Sequence, residues 1–138
     1  MTSTKIDFLK DLGCDQVKRG DGRSLLAHLI GVRDFLKSRG ASEYLQDAGL
    51  FHSIYGTLSY MPDQGVVSFD DRDIIKNLIG EEAERVVYWF CMIDEPRLQN
   101  IQKFEGDEKL KNDLSLLDHA NEDDMSLNVD RLDFYKDV

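Results

Sequence analysis

Apolar residues recur at helical spacing along most of the chain. Leu25, Leu29, Val32, Phe35 and Leu36 trace one face of a helix. Ser24 stands where an N-cap is wanted and Gly40 lies just past the far end, so a helix is predicted between them. A second stripe of Leu45, Ala48, Phe51 and Tyr55 predicts a helix opening at Ser42 and Glu43 and running to about Leu58. Thr4 to Leu12 reads as a short helix closed by Gly13, and VKRGDGRS at 17–24 is a turn-rich basic loop. Met61 to Phe69 reads as a loop, in which VVSF is a short extended piece. DDRDIIKNLIG opens a helix at Asp70 and Asp71 that Gly80 stops. EEAERVVYWFCMI follows, and the wide apolar face of Val86, Val87, Trp89, Phe90 and Ile93 predicts a central helix. Pro96 to Gly106 reads as a connection, and a last helix is predicted from about Asp107 to Met125, striped by Leu110, Leu114, Leu117 and Asn121. Strand signals are nearly absent, so the pattern predicts an all-α bundle of about six helices forming one domain over 1–138.

Composition narrows the class. At 138 residues, 41% of them hydrophobic and 32% charged, the chain is long enough to bury a core without staples. No apolar run approaches a membrane span, and MTSTKIDFLKDLG is too charged for a secretory signal. Cys14 and Cys91 form no framework spacing, so both are expected as reduced thiols in a cytoplasmic protein. A net charge of −10 argues against nucleic acid, because phosphate binding needs cations to release counterions. A small anionic ligand would have to be met by a few placed cations.

Two histidines stand out. His28 lies between Leu25 and Val32 on its stripe, and His52 takes the equivalent place between Ala48 and Tyr55. A lone inward histidine is usually a core residue satisfied by a carboxylate or a backbone group. Two on the inner faces of consecutive antiparallel helices could instead share a metal or an anion. Oxygen donors are available on the last helix, where Asp118 and Glu122 are four apart on one face. The acidic run LDHANEDDM otherwise reads as a solvated face, which accounts well for Asp123 and Asp124 and less well for Asp118 and Asn121. Gly31, Gly49 and Gly56 suggest that the two histidine helices approach closely.

At these residues the sequence resembles the HD-domain superfamily, most closely its (p)ppGpp (alarmone) hydrolase branch. RGDG at 19–22 resembles the family's Arg-x-x-Gly loop ahead of the first histidine. DAGLFHS at 47–53 resembles the helix ending in the second histidine, and SLLD at 115–118 the late Leu-Ala-Asp motif. NLIGEEAERVVYWFCMI resembles the segment between them, and HSIYGT resembles the signature of a small divergent family related to HD domains. The resemblance implies a compact HD-like helical bundle, with His28, His52 and Asp118 as metal ligands and Arg19 against a nucleotide. The chain departs from the family at Ser53, where the His-Asp doublet has its aspartate. It departs again at Tyr55 and Gly56, where the alarmone hydrolases carry a Glu-Asp pair.

Two His and one Asp are a stoichiometry suited to a divalent transition metal such as Mn, Fe, Zn or Co. The enzyme expectation is thus a metal-dependent phosphohydrolase acting on a nucleotide or other phosphorylated small molecule. It assigns Arg19 or Arg23 to the anionic substrate. Tyr55, expected one turn beyond His52, becomes a proton or hydrogen-bond donor, and Glu122 a base or fourth ligand. The alternative is an HD-like domain that has lost the metal and serves as a ligand-sensing or protein-interaction module, which the loss of the aspartate at Ser53 favours. A partner-binding role for the acidic segment 118–137 is a third expectation.

Overall fold

Ser24 holds an extended backbone and its hydroxyl accepts a hydrogen bond from the Ala27 amide at 3.0 Å, so the predicted cap starts the first long helix. The computed structural model describes residues 4–18, 22–56, 66–94, 96–105 and 107–126. In chain order the helices are α1 (Thr4–Asp11), α2 (Leu25–Ser38), α3 (Glu43–Leu50), α4 (Arg72–Ile79), α5 (Glu81–Met92), α6 (Arg97–Gln102) and α7 (Glu108–Met125). A 3₁₀ turn, Phe69–Asp71, leads into α4. Among the described residues the only β-type pairing is a single bridge between Lys18 and Ser24, which brings the two sides of the basic loop together. The fold is all-α, as the periodicity predicts.

Two elements differ from the sequence expectation. The third helix ends at Leu50 rather than near Leu58, and residues 51–55 turn instead. Phe51, His52, Ser53, Ile54 and Tyr55 are all buried, and a continuing helix would have turned some of them outward. Turns let consecutive side chains all face the interior. Gly56, at φ +75°, accepts the sharp exit that follows. The stretch 96–106, expected to be a plain connection, contains α6, whose Arg97 and Ile101 are buried one turn apart. Met61 and the neighbouring residues 57–65 lie outside the described residues.

α2 packs between α3 and α7, α5 packs on α3, α4 and α7, and α6 lies on α7. The core is built from Leu26 and Leu29 of α2, Phe51 and Ile54 of the turn, Phe90 of α5, and Leu114 and Leu117 of α7. A Cβ on Gly49 would stand 2.6 Å from Leu36 Cδ1, so α2 and α3 do approach through a small residue. Gly31 serves a different contact: its Cβ would stand 1.9 Å from Asp124 Oδ1 of α7. Among the described residues, no helix is long and apolar enough to cross a membrane.

Candidate functional site

The inner face of α7 presents Asp118, Asn121 and Asp124 within one arc, each buried, alongside Leu114 and Leu117. Charged side chains are rarely fully buried without partners, and these have them. Asp124 is 0% exposed. It accepts from both terminal nitrogens of Arg23, at 2.7 and 3.2 Å, and its main-chain carbonyl accepts a third bond at 3.1 Å. His28 Nδ1–H donates to the same carboxylate at 2.6 Å, and Nε2 pairs with the Asn121 side-chain amide at 2.9 Å. This couples the start of α2 to the end of α7.

The chain of contacts continues from His28. Its ring meets the His52 ring edge-on at 5.1 Å between centroids, and His52 meets Phe90 of α5 in the same way at 5.5 Å. His52 Nδ1–H donates to the Gly49 carbonyl at 2.8 Å. Arg97 of α6 stacks its guanidinium 4.3 Å from the Phe90 centroid and places Nη1 3.6 Å from Asp118 Oδ1. A circuit of side chains therefore runs from Asp124 through His28, His52, Phe90 and Arg97 back to Asp118 on the same helix. Outside it, between α6 and α7, lies a cleft of about 340 Å³ whose wall includes Arg97, Leu98, Asp118, His119 and Glu122.

A second buried network sits on the other side of the 51–55 turn. Glu84 of α5 is 0% exposed. It accepts from Tyr55 O–H at 2.7 Å and from Arg72 Nε and Nη2, both at 2.8 Å. Arg72 also stacks 3.8 Å from the Tyr88 centroid. Burial and the hydrogen bond to Glu84 push the Tyr55 phenol well above its ordinary range. The hydrogen bonds to Glu84 hold the Arg72 guanidinium further above its ordinary range.

The two histidines thus meet, although His52 lies in the turn after α3 and not on the helix its stripe predicts. The expected metal set of His28, His52 and Asp118 is not assembled as donors. Both nitrogens of His28 face protein partners, and Asp118 lies beside the Arg97 guanidinium, a charge that opposes a divalent cation. Among the described residues, no three His, Cys, Asp or Glu side chains gather to hold a metal. Ser53, also buried, offers only a hydroxyl. The donor set therefore does not fit a divalent transition metal.

Other expected residues are placed elsewhere. Tyr55 is not one helical turn beyond His52, because α3 has ended, and its hydroxyl is bonded to Glu84. Arg23, expected to meet substrate, is buried against Asp124. Glu122 is exposed on the wall of the cleft, and Arg19 lies outside the described residues. Asp124, expected on a solvated face, is the anchor of the network. Register alone could have pointed to it, since it follows Leu117 by seven, Ala120 by four and Asn121 by three. Glu84 could have been found likewise, three residues before Val87. Arg97 carried no such signal, because α6 itself was not legible.

The class is therefore an all-helical domain closed around a buried polar circuit. The chain matches the family described as a domain of unknown function, DUF6817, over residues 8–95, and it belongs to that family. The matched stretch runs from within α1 past the end of α5 and holds Arg23, His28, His52 and Phe90, whereas Arg97, Asp118, Asn121 and Asp124 come from helices beyond it. No curated protein and no solved structure matches the chain.

Proposed function

We propose that this protein is a metal-free, non-hydrolytic relative of HD domains that binds a small molecule in the cleft between α6 and α7. The observation that carries the reading is His28, whose two ring nitrogens are both held inside the protein by Asp124 and Asn121. A histidine bound in this way orients helices and has no lone pair directed at a metal. Arg97 and Asp118 reach from the circuit to the cleft wall, so a ligand there touches the same side chains that tie α6 to α7. Such a module would sense its ligand through the docking of α6. An anionic group on the ligand is met by Arg97. The order of the motifs supports the HD-like ancestry, and two unbridged buried thiols support a cytoplasmic location.

The competing reading, a metal-dependent phosphohydrolase, draws on the 5.1 Å approach of the two imidazoles. It requires His28 to give up Asp124 or Asn121. Elemental analysis of protein purified without chelator separates the two. Metal well below one ion per chain is expected, together with a thermal midpoint unchanged by EDTA. Near-stoichiometric Mn, Fe, Zn or Co, with a midpoint that falls on chelation, would overturn the metal-free reading. A screen of metabolites against the amide resonances of 97–99 and 118–122 tests the cleft, which must respond to at least one of them.

A further inference from the structure

The charges around the cleft define the chemistry of its occupant, on the reading that the cleft is the binding site. Arg97 and Asp118 are 6% and 3% exposed and yet line it, so both act there from a largely desolvated position. Their 3.6 Å separation is that of an ion pair without a direct hydrogen bond between those two atoms. Glu122, one turn beyond Asp118 on α7, adds a second carboxylate at the solvent side. A ligand with only negative charge meets one guanidinium and the His119 imidazole but also two carboxylates. A ligand with only positive charge leaves Arg97 to repel it. A molecule carrying both charges on neighbouring atoms meets an opposite partner at each end.

We propose that the cleft binds a small zwitterion with an ammonium and a carboxylate on one carbon, an α-amino acid or a close analogue. The carboxylate bonds to the Arg97 guanidinium. The ammonium lies between Asp118 and Glu122, whose i, i+4 spacing presents two acceptors on one side. Leu98 and Pro96 form the apolar wall against which the ligand's side chain rests. A volume of about 340 Å³ is at the lower end for a ligand pocket, which suits a molecule of this size and not a nucleotide of several phosphates.

The test titrates the full chain, by amide NMR, with L-leucine, n-butylamine, butyrate and inorganic phosphate. Saturable shifts of residues 97–99 and 118–122 with leucine are expected, with each probe of one charge sign at least about tenfold weaker, the loss of one charged hydrogen bond. Glu122→Gln, an exposed change that should not disturb folding, is expected to weaken leucine binding several-fold while butyrate binds no more weakly than before, because a repelling carboxylate is gone. Arg97→Gln should abolish the preference for leucine over butylamine. Butylamine, butyrate or phosphate saturating these amides as tightly as leucine would overturn the zwitterion and leave the cleft reading standing. A panel silent at every probe also overturns it, and the cleft reading itself falls only when the wider metabolite screen is silent too.

Discussion

Gly31 illustrates how one side chain's absence sets a buried charge in place. Any Cβ there would overlap the Asp124 carboxylate, which lies against α2 to reach both Arg23 and His28. Gly31→Ala should therefore cost far more than a helical glycine-to-alanine change normally does, since helix propensity alone favours alanine by roughly 1 kcal/mol. A loss of roughly 3–5 kcal/mol is expected, the scale of a broken buried ion pair, read from urea unfolding. At Tyr55 the prediction concerns pH. Its folded-state pKa is raised above the ordinary 10.0 by burial and by Glu84. The stability it contributes is thus complete below pH 10 and is lost as pH climbs toward the raised value. Tyr55→Phe should cost about 1 kcal/mol at neutral pH, by loss of one hydrogen bond to an ion pair that Arg72 still satisfies. It should also flatten the fall in thermal midpoint above pH 10.

Element boundaries were legible where local chemistry sets them. Ser24 and Asp107 both accept from the amide three residues on, at 3.0 and 3.1 Å, and α2 and α7 start where those caps predict. Ser24→Ala is expected to lower stability by about 1 kcal/mol in thermal unfolding, the usual cost of an N-cap lost. Gly80, at φ +89°, separates α4 from α5 as the sequence indicates. Legibility failed at the end of α3 and at α6. Both are short, and a helix of six to eight residues draws its stability from packing and not from propensity. The stripe through Phe51 and Tyr55 was real burial, but a turn satisfies burial as well as a helix does. Around Pro96 the few apolar positions, Leu98, Ile101 and Phe104, were too short a run to mark a helix.

Across the whole molecule, α7 completes what the matched family region begins. It supplies Leu110, Leu114, Leu117 and Ala120 to the core and three of the buried polar side chains to the circuit. Without it, Arg23 and His28 would lose the bonds to Asp124 and Asn121 that hold them in the interior. A fragment ending at residue 105 is expected to lose cooperative unfolding and amide dispersion, although it contains all of 8–95. A cooperative transition in that fragment would show that the circuit is dispensable for folding.

The chain by itself determined most of its helices, the caps at Ser24 and Asp107, and the inward register of His28 and Asp118. Those depend on interactions within about four residues, which spacing records. Only the tertiary structure decided what those side chains do. Arg23 and Asp124 are 101 positions apart, and whether a carboxylate so distant is a solvated surface group or a buried anchor depends on which helix covers it. Local pattern carries no record of that partner. The same holds for the cleft, whose charges come together only because α6 lies on α7.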